Sequence, residues 1–161
     1  MNSTLQLFNY LAPDGRRGVG IEYEGDKLDF SRAWATFHAL ESGGSVMPPG
    51  STDEMLGRGN FTKAAISRVL DHARTLQPEA LASLKLKGDW KWAAPVLKPG
   101  KIIALVQNYR KHAEEFGNTP PEKIVFFAKF PSTMLPHMGE IVFPGSLNSR
   151  VDHEVELGVV I

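Results

Sequence analysis

Residues 151–161, Val-Asp-His-Glu-Val-Glu-Leu-Gly-Val-Val-Ile, put three carboxylates at alternate positions: Asp152, Glu154 and Glu156. Side chains alternate across a β-strand with a period of two. The pattern therefore predicts a strand beginning near Val151, with the acids on one face and Val151, Val155, Leu157, Val159 and Ile161 on the other. Same-face neighbours on a strand stand roughly 7 Å apart at the backbone, so the two glutamates can converge on one cation. Without a partner, like charges held that close repel and resist ionisation. A divalent ion resolves the conflict, and an all-oxygen ligand set suits Mg²⁺, Mn²⁺ or Ca²⁺ over zinc. Glu154 and Glu156 are the candidate ligands. Asp152 shares their face at the strand entrance, as a ligand, a supporting group or a turn residue; His153 falls on the opposite face, and Gly158 leaves open space beside Glu156. A strand with one solvated face gives the same alternation, so the pattern alone leaves both readings open.

A second cluster is Asn108-Tyr109-Arg110-Lys111-His112-Ala113-Glu114-Glu115-Phe116-Gly117. On a helix, His112 and Glu115 share a face. A carboxylate beside an imidazole orients the ring and selects its tautomer, as a base that activates water requires. A surface pair on a short helix has the same spacing.

These groups need elements to hold them. Gly18–Tyr23 and Lys27–Phe30 read as strands joined by Glu24-Gly25-Asp26. A helix follows, with Ser31 as N-cap, Trp34, Phe37 and Leu40 as its inward stripe, and Gly43-Gly44 as its stop. After the Pro48-Pro49-Gly50 loop, Ile66, Val69, Leu70, Ala73 and Leu76 recur at helical spacing, with Pro78 just beyond the end. His38 and His72 read as solvated. Leu84, Leu86, Trp90 and Trp92 suggest short extended pieces, and Ala93-Ala94-Pro95 with Lys98-Pro99-Gly100 a linker and entry turn. Beyond it, strands are expected at Ile102–Val106, Ile124–Phe127 and Ile141–Phe143, with a short helix from Arg110 and the final strand from Val151. The domain boundary falls near residue 95.

The chain has 161 residues, enough for one modest core or one small domain plus part of another. Lys plus Arg equals Asp plus Glu, 18 each, which leaves no basic footprint for nucleic acid. There is no cysteine, so disulfides and thiolate chemistry are excluded. No secretory signal or membrane-length apolar run is read, and a cytoplasmic location is the expectation.

In order along the chain, Ile102-Ile103-Ala104-Leu105-Val106-Gln107-Asn108-Tyr109, then His112 and Glu115, then Phe127-Ala128-Lys129-Phe130-Pro131-Ser132-Thr133, then Asp152-His153-Glu154-Val155-Glu156-Leu157 form a series. From about Pro99 to Ile161 this series resembles the fumarylacetoacetate hydrolase family. The resemblance implies an α+β protein: a small mixed N-terminal domain over residues 1–95, then the N-terminal part of a β-rich catalytic roll over residues 96–161. It implies a divalent cation, Mg²⁺, Mn²⁺ or Ca²⁺, on Glu154 and Glu156. It also implies a water-activating dyad of His112 and Glu115, and a substrate-contacting role for Lys129 in a segment that lines the site. That segment reads Lys-Phe-Pro-Ser-Thr where the commoner family pattern is Lys-Pro-Ser-Thr.

The implied activity is metal-dependent hydrolysis of a C–C bond in a 2-oxo acid of acylpyruvate type, in a homodimer without membrane or nucleic-acid partners. Decarboxylation, isomerisation and dehydration share the same enolate chemistry and stand as alternatives. The family's third metal ligand is an Asp on a later strand, and the apolar run stops at Ile161 without a cap, so a fragment of a longer protein is expected, inactive by itself. A catalytically inactive relative serving as an interaction module, and a calcium-stabilised structural domain, are the non-enzymatic alternatives.

Overall fold

The computed structural model describes residues 4–143, 145 and 153–161. Val151 and Asp152 lie outside the described residues, so the start of the expected final strand and the possible third carboxylate are not placed.

The structure is α+β. Strands β1 (Leu7–Leu11), β2 (Arg17–Tyr23), β3 (Asp26–Asp29) and β4 (Lys91–Trp92) form a sheet in the order β3-β2-β1-β4, and every pairing is antiparallel. The turn from β2 to β3 is Glu24-Gly25, both with positive φ (51° and 84°), the conformation a two-residue hairpin turn requires. Across β1 and β2, Phe8 faces Gly20 and Tyr10 faces Gly18. A Cβ at Gly20 would meet the Phe8 ring at 2.3 Å, and one at Gly18 the Tyr10 ring at 2.6 Å. The two glycines let the rings lie flat on the neighbouring strand, beside Trp90 and Trp92.

The opposite face of the sheet carries helices α1 (Phe30–Ser42), α2 (Thr52–Gly57), α3 (Lys63–Arg74) and α4 (Pro78–Leu84). Val19, Ile21, Tyr23 and Leu28 pack there against Phe30, Trp34, Met55, Ile66, Val69 and Leu70. The helical spacing of Ile66, Val69, Leu70 and Ala73 is realised in α3, whose N-cap Thr62 accepts from Ala65 N. The cap of α1 is Asp29, which accepts from Arg32 N at 3.0 Å. Ser31, expected in that role, is instead buried: its Oγ accepts from Val19 N at 2.7 Å and donates to Pro49 O at 2.5 Å. Gly43 ends α1 at φ 69°, as expected. Leu40 does not join the inward stripe and is 68% exposed.

His38 and His72 are half-buried, not solvated. The His38 ring stands 4.2 Å from Trp34, and His72 lies 5.4 Å from Phe37. The piece containing Leu84 is helix, not strand: Pro78 sits in the first turn of α4, where its missing N–H costs nothing. Leu86 then donates to Lys27 O at the sheet edge.

The segment 93–98 is stitched to the first sheet. Buried Asn9 donates through Nδ2 to Thr52 Oγ1 (3.0 Å), Ala94 O (2.9 Å) and Pro95 O (3.1 Å), and its Oδ1 accepts from Thr52 N (2.9 Å). Asp53 accepts from Leu97 N and Lys98 N. Beyond this point strands β5 (Ile102–Leu105) and β6 (Phe126–Lys129) pair antiparallel as a two-stranded sheet, with helix α5 (Arg110–Glu115) between them. Strand β6 sits two residues later than the Ile124–Phe127 expected. Ile141–Phe143 and residues 153–161 are not strands. A strand exists by hydrogen bonding to a neighbour, and no described segment pairs with either. Val155 and Leu157 are accordingly exposed, 91% and 80%.

Candidate active site

Strand β5 delivers the chain to a sharp turn. Gln107 takes a left-handed conformation, φ 44°, which costs a non-glycine residue roughly 1–2 kcal/mol. Its Oε1 accepts from Asn118 Nδ2 at 3.5 Å, joining the start of the turn to the chain that leaves α5. Tyr109 is extended (φ −96°, ψ 120°) and α5 begins at the next residue. Ala113 is fully buried and points α5 inward. Gly117, φ 70°, closes the helix, with Gly117 N donating to Glu114 O.

His112 and Glu115 occupy one face of α5, as their spacing predicts. His112 Nδ1 lies 4.0 Å from Glu115 Oε2, and the ring stands edge-on to Phe116 at 5.2 Å. The other nitrogen, Nε2, lies 3.4 Å from Glu154 Oε1. The imidazole side chain is one-third exposed, open enough for a small molecule to reach it.

Tyr109, Lys111, His112, Glu115, Phe116, His153, Glu154, Val155 and Glu156 line one cleft of about 580 Å³. Four residues singled out in the sequence, His112, Glu115, Glu154 and Glu156, therefore meet in one place. The fifth, Lys129, is not among the lining residues: it ends β6, with Nζ 5.7 Å from the Phe127 ring centroid.

Residues without a sequence signal join the wall. Lys111 brings a cation to a cleft that also holds three carboxylates. His153, placed by strand alternation on the opposite face, lines the same cleft as its neighbour Glu154. The alternation fails because this segment has no pleat to impose it. A Cβ added at Gly158 would meet nothing within 4 Å, consistent with open space beside Glu156.

Glu154 and Glu156 offer hard oxygen donors, and among the described residues neither is ion-paired to a lysine or arginine. That chemistry fits a divalent cation of the Mg²⁺ type. The described residues contain no cluster of three or more acidic or imidazole groups that could hold a metal ion.

Known proteins share this part of the chain. Residues 101–161 match the family described as Fumarylacetoacetate (FAA) hydrolase C-terminal. An uncharacterised protein of Pyrococcus abyssi (strain GE5 / Orsay) is 51% identical over 65 residues, 40% of this chain and 28% of the relative. Human mitochondrial oxaloacetate tautomerase FAHD2A is 29% identical over 113 residues, 70% of this chain and 33% of the relative. Oxaloacetate tautomerase FAHD1 of Arabidopsis thaliana, also mitochondrial, is 44% identical over 61 residues, 38% of this chain and 27% of the relative. The chain thus spans a third or less of the length of these relatives. Among the described residues no helix is long and apolar enough to cross a membrane.

Proposed function

Because residues 101–161 match the fumarylacetoacetate hydrolase family, we propose that the whole protein is a member of that family, an enzyme acting on a 2-oxo acid through its enol, with His112 as the group that moves the proton. The observation that carries this reading is the position of His112, 3.4 Å from Glu154 and 4.0 Å from Glu115 in a single cleft. Glu115 lies on the Nδ1 side, close enough to orient the ring on a small side-chain movement, and Nε2 faces the cleft, the arrangement a general base needs. Residues 1–95 are read as an N-terminal domain and residues 96–161 as the first part of the catalytic domain.

Members of this family generally use a divalent cation. Glu154 and Glu156 would hold it, and when bound it supplies Lewis-acid polarisation of a substrate carbonyl. Lys111 adds the positive charge that draws a carboxylate substrate into a cleft that also holds three carboxylates. Phe116 and Val155 supply its apolar wall.

In the hydrolytic version His112 takes a proton from water, which attacks the distal carbonyl of an acylpyruvate. The C–C bond breaks, its electron pair stays with the three-carbon fragment, and that carbon is reprotonated to give pyruvate and a carboxylic acid. In a second reading, His112 shuttles a proton between C3 and the 2-oxo oxygen with no bond to carbon lost. The names of the tautomerase relatives favour this one.

The two readings separate by product. The full-length protein with Mg²⁺ is given an acylpyruvate, and pyruvate release is followed. It is then given enol-oxaloacetate, and loss of the enol absorbance is followed. Pyruvate release supports the hydrolase, accelerated ketonisation alone supports the tautomerase, and the absence of both activities overturns the proposal.

A further inference from the structure

The carboxylate segment is held by very little. Residues 153–161 have no ladder partner among the described residues. Among the described residues, two polar contacts tie the segment to α5 and to the residue before it. One is the His112–Glu154 pair. The other is a hydrogen bond from backbone to side chain: Leu157 N–H donates to the Tyr109 hydroxyl at 3.1 Å. Tyr109 precedes α5 and makes no side-chain hydrogen bond to cap it, so its phenol reaches across to the segment instead.

The two contacts flank Glu156. The Leu157 N–H belongs to the peptide bond that follows Glu156, so anchoring it fixes the backbone on the carboxyl side of that residue. On the other side His112 Nε2 stands 3.4 Å from Glu154 Oε1. Both carboxylates are then presented to the cleft that Tyr109 and His112 also line.

We propose that Tyr109 is a positioning residue, whose hydroxyl pins the Glu154–Leu157 segment over α5 so that Glu154 and Glu156 face the cleft together. The consequence for cation binding rests on the function proposed above. Pre-set ligands bind more tightly than ligands that must first be ordered, because ordering a chain segment costs conformational entropy. A tyrosine serves here where phenylalanine would not, because only the hydroxyl oxygen accepts the N–H.

The test is Tyr109→Phe in the full-length protein, read in two ways. Amide–water exchange at Leu157 is measured by NMR without metal, and Mn²⁺ affinity by calorimetry. Tyr109 is 42% exposed and the substitution keeps the ring, so the fold survives; unchanged protection at Val19 and Ile21 verifies this. The expected result is faster exchange at Leu157, together with Mn²⁺ affinity weakened on the order of fivefold, the loss of one ordinary hydrogen bond. Unchanged exchange at Leu157 overturns the proposal. So does faster exchange with Mn²⁺ affinity equal to wild type, which would make the bond merely structural. Should wild type bind no Mn²⁺, the cation reading falls, and the exchange result alone decides whether Tyr109 pins the segment.

Discussion

His112 Nε2 stands 3.4 Å from Glu154 Oε1, so the helix after β5 and the carboxylate segment near residue 154 form one site although they are distant in sequence. The same imidazole has Glu115 on its other nitrogen. A histidine between two carboxylates can carry a proton, and a carboxylate has about four lone-pair sites on its two oxygens, so Glu154 keeps acceptor capacity beside His112.

Glu154→Ala and Glu156→Ala are each expected to weaken Mn²⁺ binding by at least about 100-fold, because each removes an anionic ligand from a small set. The fold should persist, since both residues are exposed. Calorimetric titration of the full-length variants checks this; wild-type affinity in the double variant would remove the cation from the account.

Asn9→Ala should be among the costliest single changes. Its amide is satisfied on both sides by Thr52, Ala94 and Pro95, and removing it strands buried partners. Such losses cost about 1–3 kcal/mol for each group left without a bond. The midpoint of urea unfolding should fall with an unchanged slope.

Gly20→Ala should also destabilise. A Cβ there comes within 2.3 Å of the Phe8 ring, and moving the ring disturbs its stack on Trp90 and its tilted contact with Trp92. Overpacking of this kind typically costs about 1–3 kcal/mol, and thermal unfolding of the variant measures it.

Tyr10 gives the fold an alkaline limit. Burial, reinforced by the Asp29 charge, pushes its phenol well above the ordinary value, against the opposing influence of Arg16. In the unfolded chain the phenol ionises near pH 10, while the folded state keeps its proton. A raised folded-state value means that this contribution is fully present below about pH 10 and declines above it. The melting temperature should therefore drop from about pH 10 upward, and Tyr10→Phe should flatten that drop while losing the 2.9 Å bond from Arg16. An identical alkaline slope in the variant would assign it to other groups.

Much of this fold is legible in local pattern, and its departures have physical causes. The stripe on α3 and the glycine stop of α1 are written in spacing and residue type, which act over a few residues. Strand β1 is obscured because buried Asn9 sits among apolar neighbours, and its hydrogen-bond partners lie far away in sequence. Pro78 reads as the end of one helix and is also the start of the next, since proline suits a first turn. Asp29 displaces Ser31 as a cap because Ser31 is engaged by Val19 and Pro49, contacts that only the tertiary fold creates.

At the site, His112 and Glu115 are local, and helical spacing places them correctly. Glu154 and Glu156 do reach the cleft, but not through strand alternation: without a paired neighbour the segment has no pleat, and His153 turns to the same side. Tyr109 carries no local signal for its role, because the N–H it receives belongs to a residue 48 positions away.

The most direct test of the account is deuterium exchange at C3 of a 2-oxo acid in D₂O, followed by NMR with the full-length protein and Mg²⁺. The substrate is one that enolises without breaking a C–C bond, so the measurement isolates proton transfer from the fate of the enol. The account predicts that wild type accelerates exchange and that His112→Ala lowers the rate by about 10²–10⁴-fold, the range for loss of a general base, while Mn²⁺ affinity stays within a few-fold of wild type. Exchange at the wild-type rate in His112→Ala would contradict it.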